Sequence, residues 1–170
     1  AVRMRKIRDA DSRDHGRHPI ILQCSGCFEL LHPGHVHHLQ TAKTWGDLLI
    51  VSINDDESVR ALKGPGRPLL DVQERIMLLT AQTAVDYVTW FSEATPDRVI
   101  QAIEPDLYVK GGEYAVEQIP ELKTVFQYGG FRPIPHSGWT TTKLIDRVWQ
   151  YHLSCRYTIG GIKDEQPPIP

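Results

Sequence analysis

Five short apolar runs divide this chain, and the segments between them carry helical patterning. The runs are IILQCSG (20–26), DLLIVSIN (47–54), DYVTWF (86–91), DLYVKGG (106–112) and FRPIPH (131–136). The first two are rich in β-branched residues and nearly free of polar alternation, which predicts buried strands. Helices are predicted over 34–45, with Pro33 in the first turn, and over DDESVRAL (55–62) and VQERIMLLTAQTA (72–84). Three more are predicted: PDRVIQAIE (96–104), a segment around 117–127, and TTTKLIDRVWQYHL (140–153). Asp71 and Glu74 stand at capping-box spacing, and Thr95 is the expected cap of the helix that Pro96 opens.

Strands alternating with helices imply right-handed βαβ units. The fold class expected is therefore α/β: a Rossmann-like, five-stranded parallel sheet with helices on both faces, in a single domain. A length of 170 residues suits one domain with a real core. Its expected extent is 20–153, after a polar N-terminal arm (1–19) and before a Pro-rich C-terminal extension (154–170).

In such sheets, ligands bind at the carboxyl ends of the strands. Three unusual segments fall there: SGCFELLHPGH after the first run, KGGEY after the fourth and SGWTTTK after the fifth. The first joins a strand to a helix start, where free N–H groups and the helix dipole favour an anion. His32 and His35 bracket that turn, so both rings can reach one phosphate and hydrogen-bond to oxygens on which charge grows. His37 and His38 lie further along and are expected to be passengers on the helix. Four clustered histidines also suggest zinc, but no H-E-x-x-H and no carboxylate at ligand spacing accompany them, so no metal ligand is assigned. KGPGR offers Lys63 and Arg67 on a glycine-rich loop. Thr140, Thr141 and Thr142 offer hydroxyls at a helix N-terminus, where capping accounts for one threonine but not three. Gly112 and Glu113 offer a close backbone approach and a hydrogen-bond acceptor for a base or ribose.

Composition excludes several classes. A net charge of −2, from 19 basic and 21 acidic residues, argues against a general grip on nucleic acid or an anionic membrane. No apolar run reaches the 18 or so residues of a membrane span, and the first 19 residues lack a signal-peptide core, so a cytoplasmic protein is expected. Cys24, Cys27 and Cys155 read as reduced thiols. Neither G-x-G-x-x-G nor a P-loop is present, so phosphate must be held by another device.

These same residues carry a family resemblance. SGCFELLHPGH resembles the Ser/Thr-Gly-x-Phe-Asp-x-x-His-x-Gly-His signature of cytidylyltransferase-like nucleotidylyltransferases, and GWTTTKL resembles their closing Ile-Ser-Thr-Thr-Lys motif. The run from Leu62 to Tyr114 is most similar to the adenylyltransferase domain of ADP-heptose synthases. The resemblance implies transfer of a nucleoside monophosphate from a nucleoside triphosphate, with ATP favoured, to a sugar phosphate or similar acceptor, with Mg2+ as cofactor. A CTP-dependent enzyme for a polyol phosphate or small phosphonate is the alternative, and a non-catalytic nucleotide-binding domain is the alternative outside catalysis. A homodimer is also implied. By position, His32 and His35 match the pair at the α-phosphate, and Lys63 a phosphate-reaching lysine. Gly26, Cys27, Phe28 and Gly34 match the phosphate turn, and Thr140, Thr141 and Thr142 the outer-phosphate motif. Arg75 matches the Glu-Arg position, taken with Glu29 as a substrate contact. Glu29 stands where the signature has aspartate, Trp139 and Thr140 where it has Ile-Ser, and Glu113 where related sequences have aspartate.

Overall fold

The structure is a computed structural model that describes residues 18–112, 116–135 and 138–158. Five parallel strands form one sheet: β1 (Ile21–Gly26), β2 (Leu48–Asn54), β3 (Tyr87–Phe91), β4 (Leu107–Gly111) and β5 (Gly130–Ile134), in the order β3-β2-β1-β4-β5. The order reverses beside β1, which opens the crevice between the carboxyl ends of β1 and β4. The helices are α1 (Pro33–Lys43), α2 (Asp56–Lys63), α3 (Val72–Thr80), α4 (Asp97–Ile103), α5 (Leu122–Val125) and α6 (Thr141–Thr158). A single 3₁₀ turn, Val116–Gln118, precedes α5.

The two faces of the sheet follow from strand parity. Leu22, Cys24, Leu49, Val51, Ile53 and Val109 pack with Leu39 and Ala42 of α1 and Leu79 of α3. Ile21 and Ile50 point the other way, onto Ile103 of α4, and Tyr108 packs with Ile100 and Leu122. Helices therefore cover both faces, and the predicted fold class is borne out. Gly129 is needed where the chain turns into β5: a Cβ there would stand 2.3 Å from the Asp106 carbonyl oxygen and 2.4 Å from that of Pro105. Among the described residues no helix is long and apolar enough to cross a membrane.

The capping box at Asp71 and Glu74 forms as predicted. The cap expected at Thr95 does not. Pro96 takes the N-cap position of α4 without a side-chain cap, because the Thr95 hydroxyl bonds to the Asp97 carboxylate instead. The last helix runs on past residue 153 to Thr158.

Candidate active site

A pocket of about 400 Å³ opens at the carboxyl ends of β1 and β4. It gathers Gly26, Cys27, Phe28, His32, Gly34 and His35 from the first loop and the start of α1, Lys63 from the end of α2, Gly112 from just after β4, and Thr140, Thr141 and Thr142 from the start of α6. These positions are far apart in sequence and meet only because the sheet is parallel. Glu113 lies outside the described residues.

Local structure explains how the first loop is shaped. Apolar β1 ends at Gly26, where a Cβ would meet the Phe28 ring at 3.3 Å. Phe28 takes a left-handed conformation, φ 44°, which a bulky side chain adopts only when its surroundings enforce it. Its ring is 6% exposed and lies 4.9 Å from the His35 ring. His32 is the N-cap of α1: its Nδ1 accepts from the His35 backbone N–H at 3.3 Å. The two rings stack with centroids 3.7 Å apart and planes inclined by 18°. The histidine pair is thus one rigid unit at a helix N-terminus.

Burial holds His35 down to about 3, helped by His32, His38 and Lys63 and offset by the Leu30 backbone. Burial, with His37, likewise holds His38 down to about 4. Both rings are neutral near pH 7 and resist protonation. Above about 6.5 both are neutral in folded and unfolded chains alike. Below that, the unfolded chain takes up protons that the native rings refuse, so stability falls as pH drops toward 4. Urea unfolding at pH 7.5, 6.0 and 5.0 should show a steady loss that His38→Phe reduces. Equal stability at all three would contradict the burial of these rings.

Glu29 and Arg75, expected as substrate contacts, do not line the pocket. The Glu29 side chain is 0% exposed, 2.7 Å from Arg67 and 3.3 Å from Lys63, and it accepts from the Leu69 N–H at 3.0 Å. Burial pushes its carboxyl up, but Arg67, Lys63 and the Leu69 N–H outweigh that and leave it below the ordinary carboxylate value. Glu29 therefore ties the 63–69 loop down beside the histidine turn, and a longer arm than aspartate reaches that far. Glu29→Gln should destabilise the protein by roughly 1–2 kcal/mol, since both cations are partly exposed and keep some hydration. Denaturant midpoints check this, and an unchanged midpoint would contradict it. The Arg75 side chain is also 0% exposed, and all its contacts are to protein.

Lys110, Trp139 and both histidines expected to be passengers, His37 and His38, also line the pocket. Lys110 sits 2.5 Å from Glu121, which also accepts from the Tyr108 hydroxyl at 3.1 Å, and that hydroxyl bonds in turn to Ser25. Burial, then Glu121, raises the Tyr108 phenol well above its usual range, so it stays a neutral link. Thr140 caps α6 by accepting from the Lys143 N–H at 3.1 Å, leaving the other two threonines with no such duty. Burial pushes the Cys24 thiol up to about 12 and raises that of Cys27, and both are free thiols. Among the described residues no carboxylate lines the pocket, while Lys63, Lys110 and two helix N-termini face it. That is the electrostatics of a polyanion site.

Comparison with known proteins places the chain in a family. The cytidylyltransferase-like family model matches residues 24–148, which hold both histidines, the lysine loop and the threonines. The chain belongs to the cytidylyltransferase-like family. Among relatives of this family, the bifunctional protein HldE of Alkalilimnicola ehrlichii is 48% identical over 141 residues, covering 82% of this chain and 29% of that protein. HldE of Coxiella burnetii is 45% identical over the same length, with the same shares. The chain thus spans less than a third of these relatives. Among solved structures, the lipopolysaccharide core biosynthesis protein of Thermoplasma volcanium superposes with a TM-score of 0.60 at 22% identity, over 72% of this chain and 99% of that one. TmcAL of Thermotoga maritima, bound with alpha-thio ATP, gives 0.56 at 12% identity, over 78% and 51%. These two share the cytidylyltransferase-like fold.

Proposed function

We propose that this domain is a nucleotidylyltransferase. It transfers the nucleoside monophosphate of a nucleoside triphosphate, ATP favoured, to a sugar phosphate or similar small phosphorylated acceptor, and pyrophosphate leaves. The observation that carries the reading is the stacked His32–His35 pair in a pocket with no carboxylate among its described lining residues, flanked by Lys63, Lys110 and two helix N-termini. The identity of 45–48% to HldE proteins supports ATP and a sugar phosphate. The alpha-thio ATP carried by a protein of the same fold is consistent with that choice.

An acceptor phosphate oxygen attacks the α-phosphorus as the bond to the β-phosphate oxygen breaks. Two anions must meet, so the protein's task is to position them and spread their charge. His32 and His35 hydrogen-bond to the oxygens of the α-phosphate. Lys63, held by Glu29, faces the phosphates from the β2 side, and Lys110, held by Glu121, from the β4 side. The α6 N-terminus, with Thr141 and Thr142, receives the outer phosphates.

Nucleotidyltransferases of this kind generally use Mg2+. Among the described residues no group of three His, Cys, Asp or Glu side chains could hold it, and Glu29 is committed to the lysine loop. The residues present thus offer no protein cage, and Mg2+ held by phosphate oxygens and water would supply charge neutralisation. Incubation with each of the four nucleoside triphosphates, Mg2+ and a panel of sugar and polyol phosphates should release pyrophosphate, fastest with ATP and a sugar phosphate. A preference for CTP would overturn the choice of base. No release with any pair, alongside measurable nucleotide binding, would leave a binding domain.

A further inference from the structure

Glu121 occupies the N-cap position of α5, yet its side chain makes no cap bond. A side-chain oxygen at that position normally accepts from the first backbone N–H groups of its own helix. Here it turns into the protein. The residue is 2% exposed, and its Oε1 accepts from both the Lys110 ammonium at 2.5 Å and the Tyr108 hydroxyl at 3.1 Å. The polarity of the next bond follows. Tyr108 has one hydroxyl proton, and an ionised carboxylate only accepts, so that proton goes to Glu121. The Tyr108 oxygen then accepts from the Ser25 hydroxyl. Ser25 stands next to Gly26, where β1 ends and the histidine turn begins, and it lines the pocket as Lys110 does. Tyr108 is fully buried. The chain Ser25–Tyr108–Glu121–Lys110 therefore leaves the pocket at the end of β1 and returns to it at β4 through the protein interior. A buried ion pair adds little net stability over apolar side chains of similar size. What this one fixes is geometry: it ties the Lys110 ammonium to the strand end that sets the histidines.

We propose that Glu121 and Tyr108 are positioning residues for the departing pyrophosphate, and that they aim Lys110 at the outer phosphates of the nucleotide. Lys110 stands opposite Pro133 of β5, the strand that precedes α6, whose threonines line the same pocket. During transfer the acceptor oxygen bonds to the α-phosphorus. The bond from the α-phosphorus to the bridging oxygen breaks, and its electron pair leaves with the pyrophosphate. Charge thus grows on the outer phosphates, and an ammonium fixed beforehand neutralises it without giving up a proton. The proposal rests on the nucleotidylyltransferase reading.

The test is calorimetric binding of ATP and AMP, with kcat for transfer, in wild type, Lys110→Met, Glu121→Gln and the double variant. AMP lacks the outer phosphates, so its affinity reports whether the rest of the site is intact. Lys110→Met should weaken ATP roughly three- to tenfold and lower kcat about tenfold, the size of one charged hydrogen bond, with AMP affinity unchanged. Glu121→Gln should show the same pattern. In the Lys110→Met background it should cost nothing further, because no ammonium is left to aim. A Glu121→Gln loss of equal size in both backgrounds, or an equal weakening of ATP and AMP, would make Glu121 a structural residue and overturn the proposal. A wild-type ratio of ATP to AMP affinity in Lys110→Met would overturn it too. Tyr108→Phe keeps the ring and removes only the hydroxyl, so it should show the Glu121→Gln pattern at smaller size even if the Gln variant folds poorly. Wild-type protein that binds both nucleotides with the expected ratios but transfers nothing would instead overturn the functional reading.

Discussion

His35→Ala is expected to lower kcat by about 10²–10³ while nucleotide Kd stays within a few-fold. The ring is positioned before any ligand arrives. It stacks on His32 at 3.7 Å, lies 4.9 Å from Phe28, and its own backbone N–H helps to fix the His32 ring. Such preorganised groups act where charge grows, so they matter more to the transition state than to the bound substrate. The neutrality of the ring sharpens the argument. His35 is held down to about 3 mainly by burial, so at rest it adds no charge to a pocket already faced by two lysines. An arriving phosphate raises its proton affinity and strengthens its hydrogen bond as negative charge builds. Single-turnover rates with calorimetric binding separate the two effects. A turnover within a few-fold of wild type would show that the α-phosphate is held by other groups.

The fold was legible because its signals are local. Five apolar runs of strand length, broken by helical segments, leave little choice but a parallel sheet, and that topology alone brings three distant loops together. The histidine pair, Lys63 and the threonines were readable because a strand-to-helix turn and a helix N-terminus have chemistry of their own. The partners of charged side chains were not. Glu29 and Arg75 looked like substrate contacts, and both are sealed by segments that return from elsewhere in the chain, the 63–69 loop for one and the end of β2 for the other. His38 was recoverable. It stands one residue before Leu39 and four before Ala42, both buried, so its burial follows from helix periodicity. Lys110 stood in the KGGEY segment already placed at a strand's carboxyl end, but its pairing with Glu121 across a fold contact had no signal in the sequence.

Arg75→Ala is expected to destabilise the protein by about 3–5 kcal/mol, out of the 5–15 kcal/mol typical of a domain. The guanidinium is fully buried and joins three segments, the Cys27 turn, the β2–α2 junction and the stretch before α3. It donates to the Cys27 carbonyl at 2.7 Å, the Asn54 carbonyl at 2.8 Å, the Leu70 carbonyl at 3.1 Å and the Asp56 carboxylate at 2.7 Å. Alanine would leave three carbonyl oxygens without this donor, and Asp56 without its cation, so the loss exceeds that of any one bond. Melting should fall by roughly 10 °C or more. Arg75→Lys keeps the charge, but a single ammonium cannot span a planar fork, so it should recover less than half of the loss. Activity should fall too, because the Cys27 carbonyl belongs to the turn that sets the histidine pair. The opposite pattern is equally readable. An Arg75→Ala protein that melts within two or three degrees of wild type, yet loses acceptor affinity tenfold, would return this arginine to the substrate and require the 27–29 turn to open when the acceptor binds.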